Sequence, residues 1–337
     1  MRKAVWAGII ALVVGLAMAK APEKKHVVIA VGGKSLVVYL PLTVAERLGY
    51  FKDEGLDVEI QDFKGGSAAL RALLGRSADL VVGYFDHIVR LQAQGRDLEG
   101  VVLMGKYPGI VLGIQKKLAG EIQSIKDLKG RKVGVTKPGS STNYFVYYLL
   151  VKNGLKPTDV SIIGVGGASS AIAAFEKGEI DAISHVEPVI TTLESRGLLK
   201  VLVDTRKPED TLRVFGGPYP AATLYTHRSF VERNPETTQR LVNAIVRALR
   251  WMQGKSADEV VAIMPKSYSQ GNPELYKRIV ANSLSMFSED GRFPPEGPKT
   301  AYKVLSMFDP KLAAAKVDLA KTYTNQFVEK ALEKYGK

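Results

Sequence analysis

The sequence predicts an α/β protein of two lobes, each a mostly parallel sheet flanked by helices, with a crevice between them. Three observations carry this. Strand-like and helical segments alternate through the first two thirds of the chain, a pattern that favours parallel strands covered on both faces. The pattern is also written twice. Gly33-Lys34-Ser35 leads through a helical stretch to Asp57-Val58, then to Gly65-Gly66-Ser67, a second helical stretch and Asp79-Leu80-Val81-Val82. Gly139-Ser140-Ser141 leads in the same way to Asp159-Val160, Gly166-Gly167-Ala168 and Asp181-Ala182-Ile183. Finally, small residues stand where the helices of both copies begin, which suits a clamp for a small ligand.

The elements follow in order. His26 to Val31 reads as a buried strand ended by Gly32-Gly33, and 41–50 as a helix closed by Gly49. Residues 58–63 alternate as a strand, with Glu59 and Gln61 outward. A helix over 68–74 stops at Gly75, a strand covers 80–84, and a helix over 88–94 ends at Gly95. Strands are expected at 101–106, 110–115, 131–135, 199–203 and 222–226. The helix after Ser140-Ser141-Thr142 is rich in aromatics (Tyr144, Phe145, Tyr147, Tyr148). Asn234-Pro235 is a helix start, and Leu241, Ala244, Ile245, Ala248, Leu249 and Met252 form its core-facing stripe. Helices over 298–307 and 311–335 finish the chain. Segments near 110–115 and 214–224 read as crossovers, so that residues 26–112 and 220–337 make the first lobe and 113–219 the second.

Arg2 and Lys3 precede an uncharged, mostly apolar run from Ala4 to Ala17, and Ala17-Met18-Ala19 is a cleavage pattern. Together they describe a secretory signal peptide over 1–19, cut after Ala19. The run is short for a membrane span, which needs about 20 residues. The 337 residues contain no cysteine. An exported chain without cysteine has neither disulfides nor a thiol for lipid attachment, so a soluble, periplasmic, monomeric protein is expected. The net charge of +13 raises nucleic acid as a partner. The basic residues are scattered, however, and no nucleic-acid-binding signature is present. A field drawing small anions inward uses the same charge, and so does plain solubility.

Helix N-termini offer unpaired N–H groups and the positive end of a dipole, and small residues there let an anion approach. Gly66 and Ser67, the run Gly139-Ser140-Ser141-Thr142, and Gly167 stand at such places, with Lys34, Ser35 and Tyr39 near a fourth. Hydroxyls of Ser140, Ser141 and Thr142 can add donors to a sulfonate, nitrate or carboxylate, although helix capping alone also explains such loops. Ligands in open α/β sheets bind beyond the carboxyl ends of the strands. Tyr84-Phe85-Asp86-His87 and His185-Val186-Glu187-Pro188 stand there. Tyr84 can enclose a ligand or simply pack. Glu187 can hold an amine, and protonated His87 or His185 can pair with a carboxylate. No cofactor or metal is expected: His26, His87, His185 and His227 are far apart. Neither the phosphate-loop motif nor the Gly-x-Ser-x-Gly nucleophile elbow occurs.

Several stretches resemble the substrate-binding proteins of ABC importers for nitrate, sulfonates, taurine and thiamine-precursor pyrimidines. They are Pro41 to Ala45 with Gly49 to Val58, Asp127 to Val135 followed by Gly139 to Thr142, Ala174 to Ala182, and Val317 to Asn325. The resemblance implies a type II periplasmic binding protein fold that closes on its ligand by hinge motion. It implies a small anion or zwitterion as ligand, an inner-membrane permease and ATPase as partners, and no enzymatic activity. Many such proteins carry a Trp-Asp-Pro-type motif where His185-Val186-Glu187-Pro188 stands here, so the resemblance does not name the ligand. Pyrimidine synthases of the same fold use a cysteine-rich motif that this chain lacks. A sensory protein docking a membrane receptor is the other reading left open.

Overall fold

The computed structural model describes residues 20–336, so the leader expected over 1–19 lies outside the described residues. Among the described residues ten strands form two sheets. The first holds β1 (His26–Val31), β2 (Asp57–Asp62), β3 (Leu80–Tyr84) and β4 (Leu98–Leu103). The second holds β5 (Val111–Gln115), β6 (Lys132–Val135), β7 (Ser161–Gly164), β8 (Ala182–His185) and β9 (Leu199–Asp204). The last strand, β10 (Ala222–His227), returns to the first sheet. The orders are β2-β1-β3-β10-β4 and β7-β6-β8-β5-β9.

The two orders are the same order. Edge, first, third, reversed and last strands correspond one to one. In each sheet a single strand opposes the rest. β10 is antiparallel to β3 and β4, and β5 is antiparallel to β8 and β9. The remaining pairs are parallel. In both sheets the reversed strand borders a crossing of the chain: β5 is laid down on arrival in the second sheet and β10 on return to the first. The crossovers run over 104–110 and 205–221. The expected boundary at 112/113 would therefore divide β5, which lies wholly in the second sheet.

Local chemistry explains the elements. β3 is Leu-Val-Val-Gly-Tyr, buried throughout, as a strand covered by helices on both faces must be. β2 lies at an edge and alternates Asp-Val-Glu-Ile-Gln-Asp. The first helix ends at Arg47 rather than 50, because Gly49 takes a left-handed conformation (φ 75°) and a separate short helix, Tyr50–Asp53, follows. Pro235 opens the helix Pro235–Gln253, whose buried stripe includes Leu241, Ile245, Leu249 and Met252. The helix expected over 311–335 is instead broken into Pro310–Ala314, a turn at Leu319–Lys321, and Gln326–Tyr335. Between the pieces the backbone bonds to β4: Gly100 N–H donates to Thr322 O and Thr324 N–H to Gly100 O, both at 2.9 Å. Among the described residues no helix is long and apolar enough to cross a membrane.

Candidate functional site

The sheets face each other across the carboxyl ends of β1, β3, β6 and β8. Tyr84, the last residue of β3, and Gly32, Thr136 and Val186, the residues just beyond the other three ends, line one small cavity of about 20 Å³. Two helix N-termini enter it from opposite lobes. Gly66 opens the helix Gly66–Leu74 in the first lobe, and Ser141 opens the helix Ser141–Lys152 in the second. As first-turn residues, Gly66, Ser141 and Thr142 have backbone N–H groups with no acceptor inside their own helices. Leu36, Val38, Tyr39, His87 and Ser140 complete the wall. A volume of this size admits one or two waters, so the lobes are closed on each other.

Hydrogen bonds across the cleft hold this closure. Ser67 N–H donates to Ser140 Oγ at 3.1 Å, and Ser67 Oγ donates to Pro138 O at 3.0 Å. Ser141 Oγ donates to Asp86 Oδ1 at 2.7 Å, and Arg90 Nη1 donates to Tyr144 Oη at 2.9 Å. Val37 N–H donates to Glu187 O at 3.0 Å. Within the first lobe Gly32 packs against the Gly65-Gly66 loop, where its Cβ would stand 2.3 Å from Gly66 N; across the cleft a Cβ on Gly65 would stand 2.9 Å from Lys137 Cβ. Gly65 has φ 109°, a conformation open to glycine.

The electrostatics follow from burial. Asp86 is 1% exposed, and loss of water pushes its carboxyl up to about 6, against the bonds from Ser141 and Tyr219. Burial, helped by the nearby Arg90 charge, pulls His87 down to about 3, so its ring is neutral. Its Nδ1 is buried without a partner. His185 is also lowered by burial; its ring nitrogens lie near Gly166 O and Val186 O, at 3.0 and 3.3 Å. Among the described residues no lysine or arginine lines the cavity.

The structure brings Tyr39, Gly66, Tyr84, His87, Ser140, Ser141 and Thr142 to this cavity. Ser67 and Asp86 lie directly behind Ser140 and Ser141. Gly139 is half-buried beside Ser67 and donates to Asn143 Oδ1 at 2.9 Å. His185 is buried behind the Gly166 loop. Other residues are not brought in. Lys34 Nζ pairs with Glu46 at 2.6 Å on the outside, and its neighbour Ser35 is half-buried. Gly167 begins its helix half-exposed, with nothing within 4 Å of a built Cβ. Glu187 turns away, because Arg206 Nη1 donates to it at 2.9 Å and Thr191 Oγ1 at 2.7 Å. It faces a separate cavity of about 510 Å³ that Arg206 and Val38 also line. A wider groove of about 710 Å³, lined by Pro188 and Arg196 and by Leu275 and Tyr276, reaches neither glycine-serine loop.

Sequence reasoning missed Gly32, Leu36, Val38 and Thr136, and placed Val186 at the rim only as part of the His185-Val186-Glu187-Pro188 segment. Their signal was available: Gly32, Thr136 and Val186 each follow a predicted or observed strand end, where the fold places a ligand.

A model of the NMT1/THI5-like family matches residues 37–258. A solved structure from Bordetella bronchiseptica RB50 is 49% identical, covers 94% of this chain and 100% of its own, and superposes with a TM-score of 0.93. The alkanesulfonate-binding protein SsuA from Xanthomonas axonopodis pv. citri, bound to MOPS, shares the fold at 18% identity, with coverage of 90% and 99% and a TM-score of 0.70. Among sequences, the 4-amino-5-hydroxymethyl-2-methylpyrimidine phosphate synthase of Aspergillus parasiticus is 24% identical over 88% of this chain and 85% of its own.

Proposed function

The chain belongs to the NMT1/THI5-like family, and we propose that it is the periplasmic solute-binding component of an ABC importer. It captures a small organic anion, closes by hinge motion, and presents the closed form to an inner-membrane permease and its ATPase. The observation that carries this reading is the cavity walled by both lobes, sealed by the Ser67–Ser140 and Ser141–Asp86 bonds. Such a seal can exist in one relative position of the lobes only. A ligand that bridges both walls therefore shifts the population toward closure. The first-turn N–H groups of Ser141 and Thr142 supply donors for an oxyanion without any lysine or arginine.

The cleavable-leader pattern read in the sequence of residues 1–19 supports export, and the absence of cysteine weighs against the pyrimidine-synthase activity that the Aspergillus relative's name gives it. Thermal shift against sulfonates, carboxylates, taurine, nitrate and aminopyrimidines tests the reading. A ligand at 100 times its dissociation constant stabilises by about 2.7 kcal/mol. Replacing Ser140 and Ser141 together with alanine is expected to weaken the best binder by about 1–3 kcal/mol. Unchanged affinity in that double variant, with the melting curve preserved, removes this cavity as the binding site.

A further inference from the structure

We propose that the cleft carries a second, outer anion subsite, made when closure brings Lys64 and Arg71 of the first lobe to Lys137 of the second. It takes a fully charged oxyanion, either a second acidic group of the ligand or a free ion such as sulfate. This deepens the reading above and rests on it for the inner ligand.

The inner cavity, at about 20 Å³, has no room for the body of an organic ligand. Two larger cavities border it. Val38 is shared with the cavity of about 510 Å³ that Glu187, Glu194 and Asp204 line together with Arg206 and Lys207. Thr136 is shared with a cavity of about 570 Å³ lined by Lys64, Arg71 and Lys137, and by no carboxylate. The first sets three acids against two cations, while the second offers positive charge alone. The field therefore directs the rest of an anionic ligand, or a companion anion, past Thr136.

The three cations flank the contact that closes the lobes. Lys137 leads into Pro138, whose carbonyl accepts from Ser67 Oγ at 3.0 Å. Lys64 precedes Gly65, and a Cβ on Gly65 would stand 2.9 Å from Lys137 Cβ. Arg71 is four residues beyond Ser67 on the helix Gly66–Leu74, so it lies on the same face one turn along. Among the described residues none of the three enters an ion pair. Asp62, the acid nearest to Lys64 in sequence, accepts instead from the N–H groups of Gly33 and Lys34 at 3.0 and 2.8 Å. Closure thus gathers three like charges from both lobes, and their repulsion opposes it until an anion enters between them. Arg71 adds a planar fork that matches two oxygens of an oxyanion. Lys64 and Arg71 are exposed and Lys137 is half-buried, so the site forms by convergence and its side chains can be changed without disturbing a core.

Titration calorimetry at constant ionic strength tests this with butanesulfonate, 1,4-butanedisulfonate and inorganic sulfate. The test variant combines Lys64→Gln, Arg71→Gln and Lys137→Gln. The control combines Lys116→Gln, Lys126→Gln and Lys129→Gln, exposed residues that follow β5 or precede β6, at the end of the second sheet away from the cleft. If the ligand supplies the anion, the disulfonate is expected to bind about tenfold or more tightly than butanesulfonate. If a free ion supplies it, replacing chloride by sulfate is expected to strengthen butanesulfonate binding about threefold or more. The test variant should abolish whichever gain is seen, leave butanesulfonate in chloride within about threefold, and differ from the control. Absence of both gains, or an equal loss of both sulfonates in test and control variants, overturns the proposal and leaves the importer reading standing. Sulfate that only competes with butanesulfonate overturns it too, by placing the ion at the inner seam. So does unchanged calorimetry with lost uptake by cells carrying the test variant, which makes the three cations a docking face for a protein partner. If neither sulfonate binds, the reading above loses its support and the melting temperature in sulfate against chloride decides the subsite alone. A larger rise in the wild type than in the test variant, with the control like the wild type, supports it; equal rises reflect only the general stabilisation by sulfate and overturn it.

Discussion

The C-terminal end of β3 and the C-terminal end of β8 occupy the same place in two sheets of identical order, and each carries a histidine and an acid. Their fates differ. In the first lobe, Asp86 reaches across the cleft to Ser141 and has only hydroxyl and backbone donors. In the second, Glu187 turns into its own lobe, where Arg206 gathers Glu187, Glu194 and Asp204 at 2.9, 2.9 and 2.7 Å. The fold sets where an acid stands, but the nearest cation decides what it does. One acid is a paired structural strut; the other is a lone charge at the seam between lobes.

The largest effect is expected where the lobes differ in bulk. One residue past β1 is Gly32, and one residue past β6 is Thr136. The second lobe has room for a side chain there, and Thr136 uses it to bond Thr142 at 2.9 Å. The first does not, because a Cβ on Gly32 would meet Gly66 N at 2.3 Å and Gly65 C at 2.5 Å. Gly32→Ala is therefore expected to cost about 3 kcal/mol, the upper end for overpacking against atoms that cannot give way. Ligand binding should be lost with it. Chemical denaturation measures the first effect, and a wild-type midpoint would show that the Gly65-Gly66 loop moves freely.

The contrast between those two positions also shows how far the sequence could be read. The doubled glycine-serine pattern announced two matching units, and the structure shows matching strand orders. Ser140, Ser141 and Thr142 were legible because a helix N-terminus has a local signature. Asp86 was legible as a strand-end residue, but its partner was not, since Ser141 lies 55 positions away and in the other lobe. Lys34 misled for the converse reason: a loop lysine looks like a cleft cation until Glu46, on the following helix, is seen to hold it. The C-terminal helix was overread because Lys311 to Lys321 is rich in good helix formers. Pairing of residues 322–324 with Gly100 outweighs that propensity, and no local pattern reveals it.

The next effect separates the two acids by pH. Folded Asp86 holds its proton up to about pH 6, while the unfolded carboxyl releases it near the ordinary 3.8. Between those values the folded state binds more protons than the unfolded one, so stability falls as pH rises through the window. The shift corresponds to about 2–3 kcal/mol lost between pH 4 and pH 7. Asp86→Asn keeps an acceptor for Ser141 and removes the titration. Its melting temperature minus that of the wild type should grow across the window; a constant difference would mean that Asp86 is solvated in solution.

The strut should respond differently. Arg206→Ala leaves three carboxylates together, with Glu187 only 7% exposed. Loss of a fully buried partner costs about 3–5 kcal/mol and of an exposed one about 0–1. The Arg206 side chain is 26% exposed, which places the expected cost between them, at about 1–3 kcal/mol. The carboxylates then repel one another, so the loss should shrink in high salt. The Ser141–Asp86 seam is untouched, so affinity for the ligand should stay within about threefold. A large drop in affinity would mean that the neighbouring cavity beside Glu187, rather than the seam, receives the ligand.

The smallest effect sharpens the comparison most. Gly66 and Gly167 both sit at the start of the helix that follows corresponding edge strands, β2 in the first lobe and β7 in the second. At Gly66 a Cβ would stand 3.3 Å from His87 Nε2 and 4.0 Å from Ser140 Oγ, inside the seam. At Gly167 it would meet nothing within 4 Å, with φ at −83°, which any residue adopts. Gly167→Ala should change stability by no more than about 0.5 kcal/mol, in either direction, and leave ligand affinity unaltered. Gly66→Ala should leave stability within about 1 kcal/mol yet weaken binding, because the methyl group takes space in a cavity of about 20 Å³. Equal affinities for the two variants would mean that the doubled pattern marks two equivalent ligand loops. A loss confined to Gly66→Ala would mean that duplication supplied two frames, of which the first brings its glycine loop to the ligand and the second brings Ser140 and Ser141 instead.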